Sequence, residues 1–590
     1  MDIQEIKETP IWTLYQKGRN FHNLTGIYTD TDRNYRMFNG DQWAGAKLGD
    51  VEPIQKNFLK PIVKYKLAVI HDNLYAIVYS SLNFQNQAFR KTAESICTML
   101  NNYAARIWEQ EQMDYKGREI TSDSAINGEG ILYCDFDAKN MRPICEVLKK
   151  NDVYYGNEND SDIQSQPYIL IRKRMPVANA VKFALEKGLP TGKKQFIISD
   201  NDTFDQSGEA AKVEVDDMVT IIYKLYKDND TVFYSVATQF VTIAENIDTG
   251  MGIYPLAHMN WERKEGSARS DGEIKYLIPN QIEVNKTEMR RVLTVKSQAY
   301  PRIVVDESKI ANPDAVNTVG GVIKTKGQTV DDVRKVVGSL PPAQMSVDVK
   351  LLQDDLIQMS RELAGAGETA TGSVDPESAS GRAILAVQQA SRAPMTEQRE
   401  GYKRFVEDVA RIWLEYITVY SRDGINLEQT VPDEQTGQDV VKIVNVPQAA
   451  LAQLQASVKI DVTPKSVYDR FAQEQTIENL LQSGLLTAQR VGELRIYAEL
   501  LDDDSVAPKR KILDAVEKIE AEQRRIAKVN AQAQAMQQKA NMFLSQGPNA
   551  QAAQISDMQK KAQLMKMMKQ IMAKKQAAGL PSEQTPEKVR

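Results

Sequence analysis

The sequence predicts an α+β protein that is mainly α. Three observations carry this. Apolar residues recur at threes and fours over long runs, strand-like runs fall in the first half and again between residues 421 and 465, and the chain beyond residue 466 reads as almost all helix. At 590 residues it exceeds the size at which one hydrophobic core keeps growing, so about two to four domains or an elongated subunit is expected.

Residues 91–126 place Ile96, Met99, Leu100, Tyr103, Ile107 and Trp108 on one face and predict a helix, stopped by Asn127-Gly128-Glu129-Gly130. Strands are predicted at 131–137, 168–172, 219–226 and 231–238, with Asp228-Asn229-Asp230 as a hairpin turn between the last two. A basic helix is expected at 281–299, where Lys286, Arg290, Arg291 and Lys296 stand among Ile282, Met289, Val292 and Leu293 until Tyr300-Pro301 ends it. Residues 301–342 read as a compact insert with strand-like pieces at 302–305 and 321–324. A second helix, 347–364, carries Val349, Leu352, Leu356, Met359 and Leu363 with Asp348, Asp354, Asp355 and Glu362, so the two helices are expected to pair by charge along their lengths.

A Gly/Ser/Thr loop follows, with no Lys or Arg between Gly365 and Gly381. Asp375-Pro376-Glu377 then has the pattern of a helix start. That helix is expected to reach residue 420, roughly 44 residues or about 66 Å, with Pro394 kinking its interior and Phe405, Val409, Ile412, Trp413, Tyr416 and Ile417 as its apolar stripe. Strand signals return at 441–444 and 458–462. Residues 508–590 carry about nine more positive than negative charges, and Met558, Leu564, Met565, Met568 and Met572 stripe a helix that packs on its own copies, lies on a membrane surface or frays in solvent. Residues 581–590 are expected to be disordered.

The net charge of −5 implies no global attraction to nucleic acid or membrane. Cys97, Cys134 and Cys145 lack Cys-x-x-Cys spacing and read as small buried thiols of a protein made in a cytosol. His22, His71 and His258 stand apart in sequence, and Gly188-Leu-Pro-Thr-Gly192-Lys193-Lys194 misses the spacing of a phosphate loop. The expectation is therefore no catalytic residue, no metal and no cofactor, with any fuel burned by a partner. Neither a signal-peptide pattern nor an apolar run of ~20 residues occurs, so no membrane partner is expected.

Several motifs, in their order, resemble the portal proteins of tailed bacteriophages: Tyr35-Arg-Met-Phe-Asn-Gly40-Asp-Gln-Trp43, Asn57-Phe-Leu-Lys-Pro61-Ile-Val, Ser267-Ala-Arg-Ser-Asp-Gly272-Glu-Ile-Lys-Tyr-Leu-Ile-Pro279-Asn-Gln281-Ile-Glu-Val-Asn285 and Glu377-Ser-Ala-Ser-Gly381-Arg-Ala. The likeness covers most of residues 30–500. It implies a homo-oligomeric ring, a dodecamer, at one capsid vertex of the virion, made in the bacterial host cytoplasm. Such a ring conducts double-stranded DNA non-specifically, docks the terminase large subunit and later a head-tail adaptor or neck protein, contacts major capsid and scaffold proteins, and passes DNA at ejection.

Carried onto this chain, the resemblance implies a wing at 1–275 and 421–500, stem helices at 276–300 and 343–364, a clip at 301–342, a tunnel loop at 365–380, a long kinked helix at 381–420 and a crown at 501–580. The tunnel loop would offer Gly365, Gly367, Glu368, Thr369, Thr371, Gly372, Ser373, Asp375, Glu377 and Ser378 to DNA as a low-friction constriction. Lys286, Arg290, Lys296, Arg382 and Arg392 are candidates for weak phosphate contact, and Lys324 and Lys326 for docking at the clip. Two rivals stay open from the residues alone: a magnesium-dependent nuclease or NTPase subunit, and a helical scaffold or assembly factor.

Overall fold

Flanking residues set the first two helices. Thr9 accepts the Trp12 amide (3.3 Å) just ahead of Pro10, and Gly26 ends α1 (Pro10–Thr25) in the left-handed region before α2 (Ile27–Asn39) begins. The computed structural model describes residues 7–47, 52–81, 87–137, 139–200, 217–299, 302–318, 321–326, 337–340, 345–346, 348–367, 393–432, 439–454 and 456–464. All of these belong to the unit Met1–Lys465. The expected helices beyond residue 465 lie outside the described residues.

After α3 (Leu59–Ile70) and β1 (Asn73–Ser81), the run expected as one helix is two, α4 (Gln87–Gln110) and α5 (Met113–Asn127). Gln112 takes a φ of 51° at the break. The buried Glu111 carboxylate there meets Lys116 Nζ (2.8 Å) and accepts the Cys145 amide (3.1 Å), contacts that a continuous apolar period does not reveal. Asn127-Gly128 does end α5, with Gly128 at φ 98°.

Then come β2 (Glu129–Asp137), β3 (Arg142–Leu148), β4 (Val153–Tyr155), β5 (Tyr168–Pro176), α6 (Val177–Glu186), β6 (Met218–Asp228), β7 (Thr231–Ala237), β8 (Thr242–Asp248) and β9 (Leu256–Asn260). They form a five-stranded antiparallel sheet in the order β4-β5-β6-β7-β8 and a three-stranded one in the order β3-β2-β9. Asn229 and Asp230, at φ 48° and 61°, turn β6 into β7 as the sequence predicts.

A two-residue ladder, β10 (Glu262–Arg263) with β11 (Ser270–Asp271), leads into α7 (Glu273–Ala299). This helix starts eight residues before the expected 281. Pro279 lies inside it, where a proline costs about 3 kcal/mol, but Ile274, Leu277 and Ile278 are buried in the main core and packing prevails. In the insert, β12 (Arg302–Val305) pairs with β13 (Val337–Leu340). Residues 321–324 are not a strand; only an Ile310–Thr325 bridge forms there, because Asn312 takes over the Lys324 amide (2.7 Å) and the Val322 carbonyl (2.8 Å).

The remaining elements are α8 (Asp348–Leu363), α9 (Thr396–Tyr420), β14 (Ile425–Pro432), β15 (Asp439–Val446), α10 (Gln448–Gln453) and β16 (Ala456–Pro464). β16 pairs antiparallel with β1 from Asn73↔Pro464 to Ser81↔Ala456, closing the described chain back on its beginning. The stripe of α9, Phe405, Val409, Ile412, Trp413, Tyr416 and Ile417, is buried in the main core, as its period predicts. Pro394 is not inside this helix: it sits in a 3-10 turn, Ala393–Met395, and the α-helix begins at Thr396. A proline, which has no amide to donate, fits that tighter turn; residues 381–392 of the expected long helix lie outside the described residues.

Gly128 carries a testable demand. A Cβ at this position would strike the Ser270 carbonyl, and the positive φ is itself costly for an L-residue. Gly128→Ala is expected to lower stability by at least about 2 kcal/mol, read as a lower urea midpoint.

Candidate nucleic-acid interface

The motif residues far apart in sequence meet at the base of α7. Asn57 caps α3 through the Leu59 amide (3.1 Å) and donates to the Phe38 carbonyl (3.0 Å). Gln281 accepts the Phe58 amide (3.0 Å), donates to the Lys56 carbonyl (2.9 Å) and donates to Asn285 (3.0 Å), while Asn285 accepts the Lys56 amide (3.0 Å) and donates to Gln42. Glu273, at the first turn of α7, pairs with Lys66 (2.6 Å) and accepts Trp261 Nε1 (3.0 Å). Buried amides that satisfy one another in this way fix α7 in one direction.

Beyond that anchor α7 and α8 run together. The expected charge pairing does not join them. Lys286 and Arg290 both pair with Glu283 (3.7 and 3.1 Å), and Arg291 pairs with Glu288 (3.0 Å), all on α7 itself. Gln353 bridges the helices instead, accepting from Arg291 (2.8 Å) and donating to Glu288 (2.7 Å), with Asn280 donating to Ser360 (2.9 Å) lower down. Lys286 and Arg291 each meet a glutamate three residues back, and Arg290 reaches Glu283 two turns back on the same helix.

α8 carries apolar side chains on both faces, with Ile357 and half-buried Leu356 packed on the main core. Its inward stripe is Gln353, Ile357, Ser360 and Ala364, two of them polar, whereas Leu351, Leu352, Met359 and Leu363 are each more than half exposed. On α7, Ile282, Lys286, Met289, Leu293 and Lys296 alternate at fours and threes and therefore share one face; all but the half-buried Met289 are exposed. Val295, Ile303, Val304 and Val322 add further exposed apolar surface on the same helix and the insert.

The structure thus brings Lys286 and Lys296 onto one face of α7 with Arg290 one position round, all exposed, and leaves Lys324 and Lys326 exposed on the insert. Gly365 belongs to a helix terminus rather than a loose loop: at φ 67° it donates to the Glu362 carbonyl (2.9 Å) while the Ala366 amide donates to that of Arg361 (2.8 Å), a Schellman stop followed by Gly367. A Cβ on Gly365 would lie 3.0 Å from Pro394 Cβ, so the two flanks of segment 368–392 adjoin. Glu368, Thr369, Thr371, Gly372, Ser373, Asp375, Glu377, Ser378, Arg382 and Arg392 lie outside the described residues.

Sequence reasoning missed a buried ionic cluster beneath this anchor. Arg269 reaches Glu158 (2.9 Å), Glu129 (3.3 Å), the Val153 carbonyl (2.8 Å) and His22 Nε2 (2.9 Å), and lies over the Tyr155 ring at 4.5 Å. Lys150 and His258 also face Glu129, at 3.0 and 3.4 Å. Its one sequence signal is Glu129 between two glycines at the head of an apolar strand.

Because Arg269 donates to Nε2, His22 is the neutral tautomer with its proton on Nδ1. Burial pulls its pKa down from 6.5 to about 4, with Arg269 adding to the shift and Glu158 opposing it. Between those values the unfolded chain binds a proton that the folded chain refuses, so stability falls as pH drops from 6.5 to 4, by about 3 kcal/mol for this group. His22→Gln is expected to remove that part of the pH slope, measured as urea midpoints between pH 7 and 4.

Among the described residues no group of three or more His, Cys, Asp or Glu side chains is placed to hold a metal ion, and no helix is long and apolar enough to cross a membrane. The profile of the phage P22-like portal protein family matches residues 173–574. The chain belongs to that family. No curated protein matches it.

Proposed function

We propose that this chain is the subunit of a ring that conducts DNA through a phage capsid vertex. The observation that carries the reading is the outer side of α8, where Leu351, Leu352, Met359 and Leu363 stand exposed while polar Gln353 and Ser360 occupy part of the inner side. Such a stripe is stable only when something covers it, and a cyclic array of identical copies covers it on every subunit. Family membership supports a structural role in the phage particle. In this reading α7 and α8 are the stem, residues 301–342 the clip that meets the terminase and later the neck protein, residues 1–275 and 421–500 the wing, and residues 501–580 the crown.

The basic residues suit a conduit. Each neutralised phosphate adds salt-dependent affinity, and a ring multiplies it. Lys286 and Arg290 share Glu283, so much of their charge is already answered and a passing duplex is held weakly. Segment 365–380 is the tunnel loop in this proposal, on the strength of its sequence. Removing residues 368–373 while keeping the Gly365 stop is expected to preserve assembly and reduce DNA packaging or retention; full-titre particles of normal DNA content would count against the assignment.

The direct test is imaging. Negative-stain fields of the purified full-length chain, viewed end on, are expected to show closed annuli with a central hole. A chain that stays monomeric at high concentration and physiological salt, with no annuli under any assembly condition, overturns the proposal.

A further inference from the structure

We infer that Cys134 and Cys145 form an intramolecular disulfide when the folded protein meets an oxidising solution. The two residues stand directly opposite each other in the β2–β3 register, and their sulfurs are 3.7 Å apart. Their main chains do not bond to one another. The Cys134 amide donates to the Pro255 carbonyl (2.9 Å) and the Cys145 amide to Glu111 (3.1 Å), which makes this a non-hydrogen-bonded pair. Such pairs bring Cα atoms to about 4.5 Å, inside the range a disulfide spans. Rotation of the two side chains is then enough to close the sulfur gap. Cys97, buried on α4, is the third thiol of the chain.

Access comes through the edge. β3 is the outer strand of its three-stranded sheet, so local opening there exposes Cys145 before the central β2 is disturbed. Contact with Cys145 and burial push the Cys134 thiol well up, and Cys145, on the edge strand that opens first, is the first nucleophile. With oxidised glutathione as oxidant, the Cys145 thiolate bonds to one glutathione sulfur and expels the other as a thiolate. The Cys134 thiolate then attacks the Cys145 sulfur and expels the second glutathione. Two cysteine thiols are oxidised by two electrons, one small disulfide is reduced to two thiols, and the two protons lost from the cysteines go to solvent or to the glutathione released.

The bond would clasp the hairpin against which α9 packs. Tyr416 donates to the Cys134 carbonyl (2.9 Å), and Phe136 stacks on the Tyr416 ring at 5.7 Å. On the function proposed above, the clasp stays open during assembly in a reducing cytoplasm and closes in released particles. The bond itself does not depend on that reading.

The test uses the purified full-length chain, incubated with oxidised glutathione or with dithiothreitol, then unfolded, alkylated and weighed intact. Three alkylated thiols are expected after dithiothreitol and one after glutathione disulfide, with a peptide pair joining Cys134 to Cys145 and a higher thermal midpoint. In Cys97→Ala the oxidised chain is expected to show none. Three reactive thiols after oxidation, a link through Cys97, or glutathione retained on Cys145 of the wild-type chain would overturn the inference. Cys134→Ser is expected to stop at the glutathione adduct, and an unmodified chain there would equally count against it.

Discussion

Replacing Arg269 with methionine is expected to cost about 3–5 kcal/mol, because removing one partner of a buried ion pair leaves the others charged without compensation. Arg269 supplies hydrogen bonds to Glu158, Glu129, His22 and the Val153 carbonyl from an almost fully enclosed position. Burial acts to raise the Glu129 pKa, yet Lys150 and Arg269 outweigh it and hold the carboxyl well below its ordinary value. Without the guanidinium, Glu129 retains Lys150 but Glu158 loses its cation, and one carboxylate must take a proton or draw in water. Urea unfolding of Arg269→Met against wild type measures the loss. Adding Glu158→Gln is expected to restore part of it, a positive coupling that a purely steric defect does not produce. An unchanged midpoint in the single variant would mean that the cluster contributes nothing to stability.

A second large effect is expected on assembly rather than folding. Leu352→Glu together with Met359→Glu places two charges on the open stripe of α8, where both native side chains are more than half exposed. Burying each native side chain in a subunit contact is worth about 1.5–3 kcal/mol, and a ring repeats that at every seam. The double variant is expected to run as a monomer by mass photometry, with its urea midpoint within about 0.5 kcal/mol of the wild-type monomer. Annuli of unchanged abundance would show that this stripe is not the seam.

The sequence reveals the parts of this fold whose signal is local. Phe405 to Ile417 repeats every three or four residues, and that stripe is the buried one. Asn229 and Asp230 tolerate positive φ, and the hairpin turns there. Gly128 stops α5 because it alone accepts its φ against the Ser270 carbonyl. What escaped was decided at a distance. Pro279 reads as a helix boundary until Ile274 and Leu277 are seen packed in the core, and the break between α4 and α5 follows from a carboxylate that meets another strand.

The candidate site divides along the same line. Lys286, Arg290 and Lys296 are legible as basic residues of one helix, and Glu283, which pairs with the first two, lies on that same helix; the role of Gln353 at the seam requires the partner helix to be in place. The Arg269 cluster joins residues 22, 129, 153, 158 and 269, which no spacing connects. The apolar period of α8 was visible; the outward orientation of Leu352, Met359 and Leu363 was not, because two polar residues occupy part of the inward face.

The contact between Gly365 and Pro394 has a further consequence. Two anchors that adjoin leave almost no distance to be bridged, so a change in the number of residues between them does not have to be taken up by the separation of α8 and α9. Changes of length there need not displace the helices on either side, which gives this point of the molecule a latitude for insertion that a connector stretched between distant anchors would lack.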